Sequence, residues 1–136
     1  MKKKILALLV AATLCMVLLA MPFSASAASS ISYSLNGYRC TGNLSMGQDH
    51  LQRAYATATS GFETMANSIT AQANIYYGFG TIQGTFFGPI TDQSPGSYTS
   101  STATAPYYSS VAIKAQGTHH VTYYGGQWDG DTSIGF

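Results

Sequence analysis

The chain has 136 residues, of which six are Lys or Arg and five Asp or Glu, for a formal charge of +1 with only 8% of residues charged. Lys2, Lys3 and Lys4 are half of the cations, so the remainder sets Arg39, Arg53 and Lys114 against Asp49, Glu63, Asp92, Asp129 and Asp131. Three scattered cations cannot build the clustered positive surface that a phosphate backbone requires, which excludes nucleic acid as a partner.

The three lysines precede an uncharged apolar run from Ile5 to Ala20, then Pro22 and the small residues Ala25, Ser26 and Ala27. This order of charge, apolar run and A-x-A motif predicts a secretory signal peptide over 1–27, cut before Ala28. The helix-breaking Pro22 and the cleavage motif favour removal over a retained anchor, so no stable membrane span is expected after processing. What remains, 28–136, is expected to be a single all-β domain. Cys15 leaves with the signal and Cys40 is then alone, expected as a buried small hydrophobe.

The predicted elements alternate with period two. In ISYSLNGYRCTGNLSM the apolar parity switches at Asn36-Gly37, the preferred centre of a two-residue type I′ hairpin. That turn sets Leu35 opposite Tyr38 and Tyr33 opposite Cys40 on one apolar face. Residues 49–65 fit both helical and strand spacing; Thr57, Thr59 and Gly61 tilt the reading to a strand over Gln52–Thr59 with a helical turn near Phe62. SITAQANIYY predicts a half-buried strand with Ile69, Ala71, Ala73, Ile75 and Tyr77 inward. TIQGTFFG is a weaker strand, and the Ser/Thr/Pro/Gly-rich DQSPGSYTSSTATAP reads as a loop with one short strand near Thr102–Ala105. A long run from Tyr107 to Tyr123 is expected to bend at Gly117. Several short strands separated by turn signals predict an all-β fold, a single antiparallel β-sandwich or small barrel built from hairpins.

GTHHVTYYGGQWDGD, 117–131, gathers two histidines, two aspartates and the only tryptophan. A hairpin centred on Gly125-Gly126 pairs Tyr123 with Trp128, His120 with Asp131 and His119 with Thr132. Trp128, Ile134 and Phe136 then join Val121 and Tyr123 on the core side. Adjacent strand residues face opposite ways, so His119 points inward and His120 outward. On the outer face, His120, Asp129 and Asp131 form either a surface ion pair or three ligands of a divalent cation. No other cofactor is expected. The chain contains no G-x-S-x-G, H-E-x-x-H or phosphate-loop motif, Glu63 is its only glutamate, and no catalytic residue is assigned.

Strand parity turns Tyr76, Tyr108 and Tyr124 to the polar face. With His120 they are candidate ligand-binding residues, since exposed tyrosines offer flat amphipathic platforms for a cell-surface glycan or protein. The ASAASS cleavage region, the AYATATS and SITAQA strands and the terminal Gly/Trp/Asp hairpin resemble, in format along the whole chain, small exported Gram-positive β-proteins of unknown function. That resemblance carries no catalytic residue. The expectation is a secreted, non-enzymatic binding or interaction protein, extracellular or cell-wall associated; the alternative is a secreted bacteriocin-like antimicrobial or toxin, which the lack of a cationic amphipathic segment disfavours. Oligomeric state is not legible in the sequence.

Overall fold

The computed structural model describes residues 27–51, 53–79, 82–105 and 112–135. Among these residues nine strands build two antiparallel sheets: β1 (Ala27–Leu35), β2 (Tyr38–Gln48), β3 (Ala54–Ala66), β4 (Ser68–Phe79), β5 (Ile82–Phe87), β6 (Thr91–Gln93), β7 (Gly96–Thr104), β8 (Ala112–Tyr123) and β9 (Gly126–Gly135). Sheet A has the order β1-β2-β3-β7; sheet B has β5-β4-β8-β9, with β6 also pairing β4. The sheets pack face to face as a β-sandwich and do not close into a barrel. Among the described residues no helix is long and apolar enough to cross a membrane. The predicted signal segment up to Ser26, Tyr107, Val111 and Phe136 lie outside the described residues.

The first hairpin forms as its turn chemistry dictates. Asn36 and Gly37 both take positive φ (52° and 86°), and Leu35 lies opposite Tyr38 and Tyr33 opposite Cys40. Cys40 is fully buried, and desolvation pushes its thiol up to about 11. The ambiguous segment is strand from Ala54 onward: β3 begins later than expected and runs through Phe62 without a helical turn, after a turn at His50 and Leu51. Its alternation of Ala54, Ala56, Ala58, Ser60 and Phe62 feeds the core from between β2 and β7, and two flanking strands satisfy its backbone better than a lone helical turn. The Ser/Thr-rich stretch expected as a loop is mostly β7, whose buried Thr99, Ser101 and Ala103 are small enough for a narrow interior. β8 does not break at Gly117; its register with β4 slips instead between Tyr76 and Tyr77.

Two apolar clusters fill the space between the sheets. One, around Leu44, Met46, Ile75 and Ile134, is dominated by alanines. The other, at the end bearing the Asn36-Gly37 turn, holds Leu35, Cys40, Phe62, Ile69, Val121 and Trp128. Between them β2, β3, β4, β8 and β9 each place small or polar residues on the inner face, Gly42, Ser60, Ala71, Gly117, Gly130 and Thr132, with His119 as the large side chain among them. The core is therefore two apolar halves separated by a polar layer.

Candidate functional site

The β8–β9 turn is centred one residue earlier than the glycine pair suggests. Tyr124 and Gly125 carry the positive φ values (43° and 75°), and Tyr123 pairs with Gly126. Tertiary bonds select this centre. Asn67 Oδ1 accepts from the Tyr124 N–H at 2.9 Å, Asn36 Nδ2 donates to the Tyr123 carbonyl at 3.2 Å, and a Cβ on Gly126 would lie 2.9 Å from Leu35 Cδ1. Val121 thus faces Trp128, and His120 faces Asp129 rather than Asp131; His119 faces Gly130 rather than Thr132. Shifting the centre by one residue moves each partner by two, so parity survives and the two histidines still point to opposite faces.

Inward, His119 is fully buried and both ring nitrogens are bonded. Ser60 Oγ spends its proton on the Thr70 carbonyl at 2.7 Å, so it accepts from His119 Nδ1–H at 3.0 Å. Thr132 Oγ1, whose other acceptor is the Gly117 carbonyl at 3.4 Å, donates to Nε2 over the shorter 3.0 Å contact, which gives the neutral Nδ1–H tautomer. The ring stacks on Trp128 at 6.3 Å between centroids and 14° between planes. It also occupies the volume Gly42 leaves open, since a Cβ there would lie 2.4 Å from His119 Cδ2. Burial pushes the imidazole down to about 4, against an opposing pull from Asp131. The Ser60–His119 contact has the reach of a nucleophile and its base. Its hydroxyl proton, however, is committed to a backbone carbonyl, and both residues are sealed from solvent, so this pair holds two sheets together and presents no nucleophile.

Outward, His120 Nδ1 meets Asp129 Oδ1 at 2.5 Å, and Gln127 Nε2 donates to Asp129 Oδ2 at 2.7 Å. The His120 bond, then the Gln127 bond, hold the Asp129 carboxyl below its ordinary range. Asp131 pairs with Thr118 and lines a shallow polar hollow of about 280 Å³ with Gln116 and Ser133. Both Asp129 oxygens are already engaged, and among the described residues no three His, Cys, Asp or Glu side chains gather as a metal site. His120 and Asp129 form a solvent-facing pair of the kind that contributes about 0–1 kcal/mol.

The two tyrosine candidates among the described residues, Tyr76 and Tyr124, do not converge. Tyr108 lies outside the described residues. Tyr76 is half-buried, donates its hydroxyl to Gln116 Oε1 at 2.7 Å and sits beneath Lys114 Nζ, 5.8 Å from the ring centroid. Tyr124 occupies a turn rather than a strand face and is 79% exposed. Its backbone bond to Asn67 puts it nine positions along β4 from Tyr76, roughly 30 Å of strand.

The outer face of sheet A, which the tyrosine reading passed over, is more continuous. Strand register aligns Ala28, Ser45, Thr57 and Thr102 in one row, Ser30, Asn43, Thr59 and Ser100 in the next, and Ser32, Thr41, Gly61 and Tyr98 in a third. Thr57 and Thr102 hydroxyls meet at 2.9 Å across β3 and β7. Rows of this kind repeat about 4.8 Å across strands and about 6.7 Å along them. None of the twelve positions is Asp, Glu, Lys, Arg or His, and Tyr98 closes the third row 57% exposed. A shallow hollow of about 330 Å³ opens among Ser30, Asn43, Ser45, Thr57 and Thr59. The sequence signal was the second parity of TGNLS, YATATS and STATA, in which hydroxyl residues alternate with small core residues. Comparison with protein families, with curated proteins and with solved structures finds no match to this chain.

Proposed function

We propose that the chain is an exported, non-enzymatic binding domain acting at the cell surface or envelope, with the outer face of sheet A as its contact surface and a neutral cell-surface glycan as its ligand. The observation that carries this reading is the twelve-position array without a charge. A sugar polymer presents hydroxyls at regular intervals, and an array of Ser, Thr and Asn answers them with donors and acceptors without desolvating an ion. Tyr98 adds an amphipathic ring for a sugar face at low side-chain entropy. The histidine–aspartate pair lies on the opposite sheet and takes no part.

Co-sedimentation of the purified protein with cell walls, run beside a growth assay, tests this. Binding should resist salt, because no ion pairs form it. Thr59→Lys and Tyr98→Ala should weaken it while leaving the fold intact, and Asp131→Asn should not. Growth inhibition without wall binding would point to the antimicrobial alternative, and binding indifferent to both sheet A substitutions would place the contact elsewhere.

A further inference from the structure

β1 differs from every other sheet edge among the described residues. On the same side of the sandwich, β9 exposes the edge groups of Gln127, Asp129, Asp131 and Ser133, so two carboxylates stand guard along it. The far edge of β7 is capped where Thr91 Oγ1 donates to the Ser100 carbonyl at 2.7 Å, and its pairing with β3 is interrupted between Gly61 and Ala66. β5 is six residues long and gives way to β6 through Gly88 and Pro89. β1 has nine residues, AASSISYSL, with no charge and no proline, in unbroken register with β2. Natural sheets rarely leave such an edge unblocked.

The hydrogen-bond parity of this edge follows from the turn. Leu35 and Tyr38 flank a two-residue turn and exchange both backbone bonds, so Tyr33 and Ile31 also bond toward β2. The N–H and C=O groups of Ser30, Ser32 and Ser34 therefore point away from β2, to the free side. Ile31 and Tyr33 share the parity of the buried Leu35, yet remain 37% and 56% exposed at the edge of the sheet.

We infer that β1 is a self-pairing edge, along which two copies of the chain join antiparallel about Ser32. The sequence is self-complementary in that register. Ser32 lies opposite the second copy's Ser32, and Ser30 opposite its Ser34; these are the residues whose backbone groups have no strand partner among the described residues, and together they exchange about six bonds. Ile31 falls opposite Tyr33 in both halves, in the closely approaching non-hydrogen-bonded positions, so each copy covers the other's exposed apolar pair. The contact is isologous and closes as a two-fold dimer with an eight-stranded continuous sheet. A foreign strand could bond the same edge, but it would not bring this matched alternation.

Sedimentation of the purified protein over a concentration series tests the inference, with circular dichroism confirming the fold of each variant. The wild-type chain should show a reversible monomer–dimer equilibrium. Ser32→Pro removes one edge-directed N–H from each copy without touching the bonds to β2, and should weaken dimerisation by roughly tenfold or more. Ser32→Lys places like charges opposite one another at the two-fold axis and should weaken it too, with partial recovery in high salt. Ser133→Lys, on the guarded edge, should leave it unchanged. If Ser32→Pro fails to fold, Ser32→Lys decides. A wild-type protein that stays monomeric at every concentration, or a dimer equally tight in Ser32→Lys, overturns the inference. Because the readout is mass and not glycan binding, it stands or falls apart from the proposed function.

Discussion

His119 and His120 are neighbours in the chain and sit on opposite sides of one sheet, and they differ in almost everything else. The first is sealed between two apolar clusters with both nitrogens bonded, in a layer where glycine, alanine and serine make room for it. The second shares a solvent-facing contact with a carboxylate that Gln127 also engages. Residue type alone therefore says little about chemistry. A buried imidazole with fixed partners acts as a polar key in the sandwich, whereas an exposed one in water adds little.

The largest expected effect comes from removing the key. His119→Ala should destabilise the fold by about 3 kcal/mol, since it opens a cavity and strips partners from Ser60 and Thr132. Chemical denaturation would measure this, and a loss below about 1 kcal/mol would mean that the polar layer is not a determinant of stability. Gly42→Ala attacks the same site from the facing sheet. A methyl placed 2.4 Å from the ring should cost about 1–3 kcal/mol in the wild-type background and much less alongside His119→Ala. Additive losses in the double mutant would show that the two positions do not share the space.

At the hairpin turn, Gly125→Val should cost about 1–2 kcal/mol because a β-branched residue resists φ near +75°. Tyr124→Asn should instead stabilise by about 0.5 kcal/mol, since Asn tolerates the φ of +43° that Tyr adopts there. Gly125 is central in either turn, so Tyr124→Asn is the variant that decides: if it destabilises in a thermal melt, the turn returns to Gly125-Gly126. The smallest effect belongs to the outer pair: His120→Ala should change stability by no more than about 0.5 kcal/mol in the same melts. A larger loss would erase the contrast between the neighbours.

The two hairpins show why part of this was legible and part was not. Asn36-Gly37 offers only one pair of residues suited to positive φ, so turn, register and face followed from the sequence together. Tyr124-Gly125-Gly126 offers two centres. The choice between them was made by Asn67, Asn36 and Leu35, which are distant in sequence and close only in the fold. Parity survived that error, so the opposite orientation of the histidines was readable while the partner of His120 was not. β7 was hidden for a different reason: Ser and Thr signal loops, yet a thin interior has room for little else. The hydroxyl rows are not legible as rows in the sequence because they belong to no single segment. They exist only once β1, β2, β3 and β7 are in register.

The most direct test of the account is NMR of the histidine rings through a pH titration. Burial pushes His119 from 6.5 to about 4, so the unfolded chain takes up the proton first. Stability from the neutral ring is therefore fully present above about pH 6.5 and is lost as the pH falls toward 4, by roughly 3 kcal/mol at the limit. His119 should be an Nδ1–H tautomer at neutral pH and stay unprotonated until about pH 4. A His119 ring that titrates near 6.5, or one protonated on Nε2 at neutral pH, would contradict it.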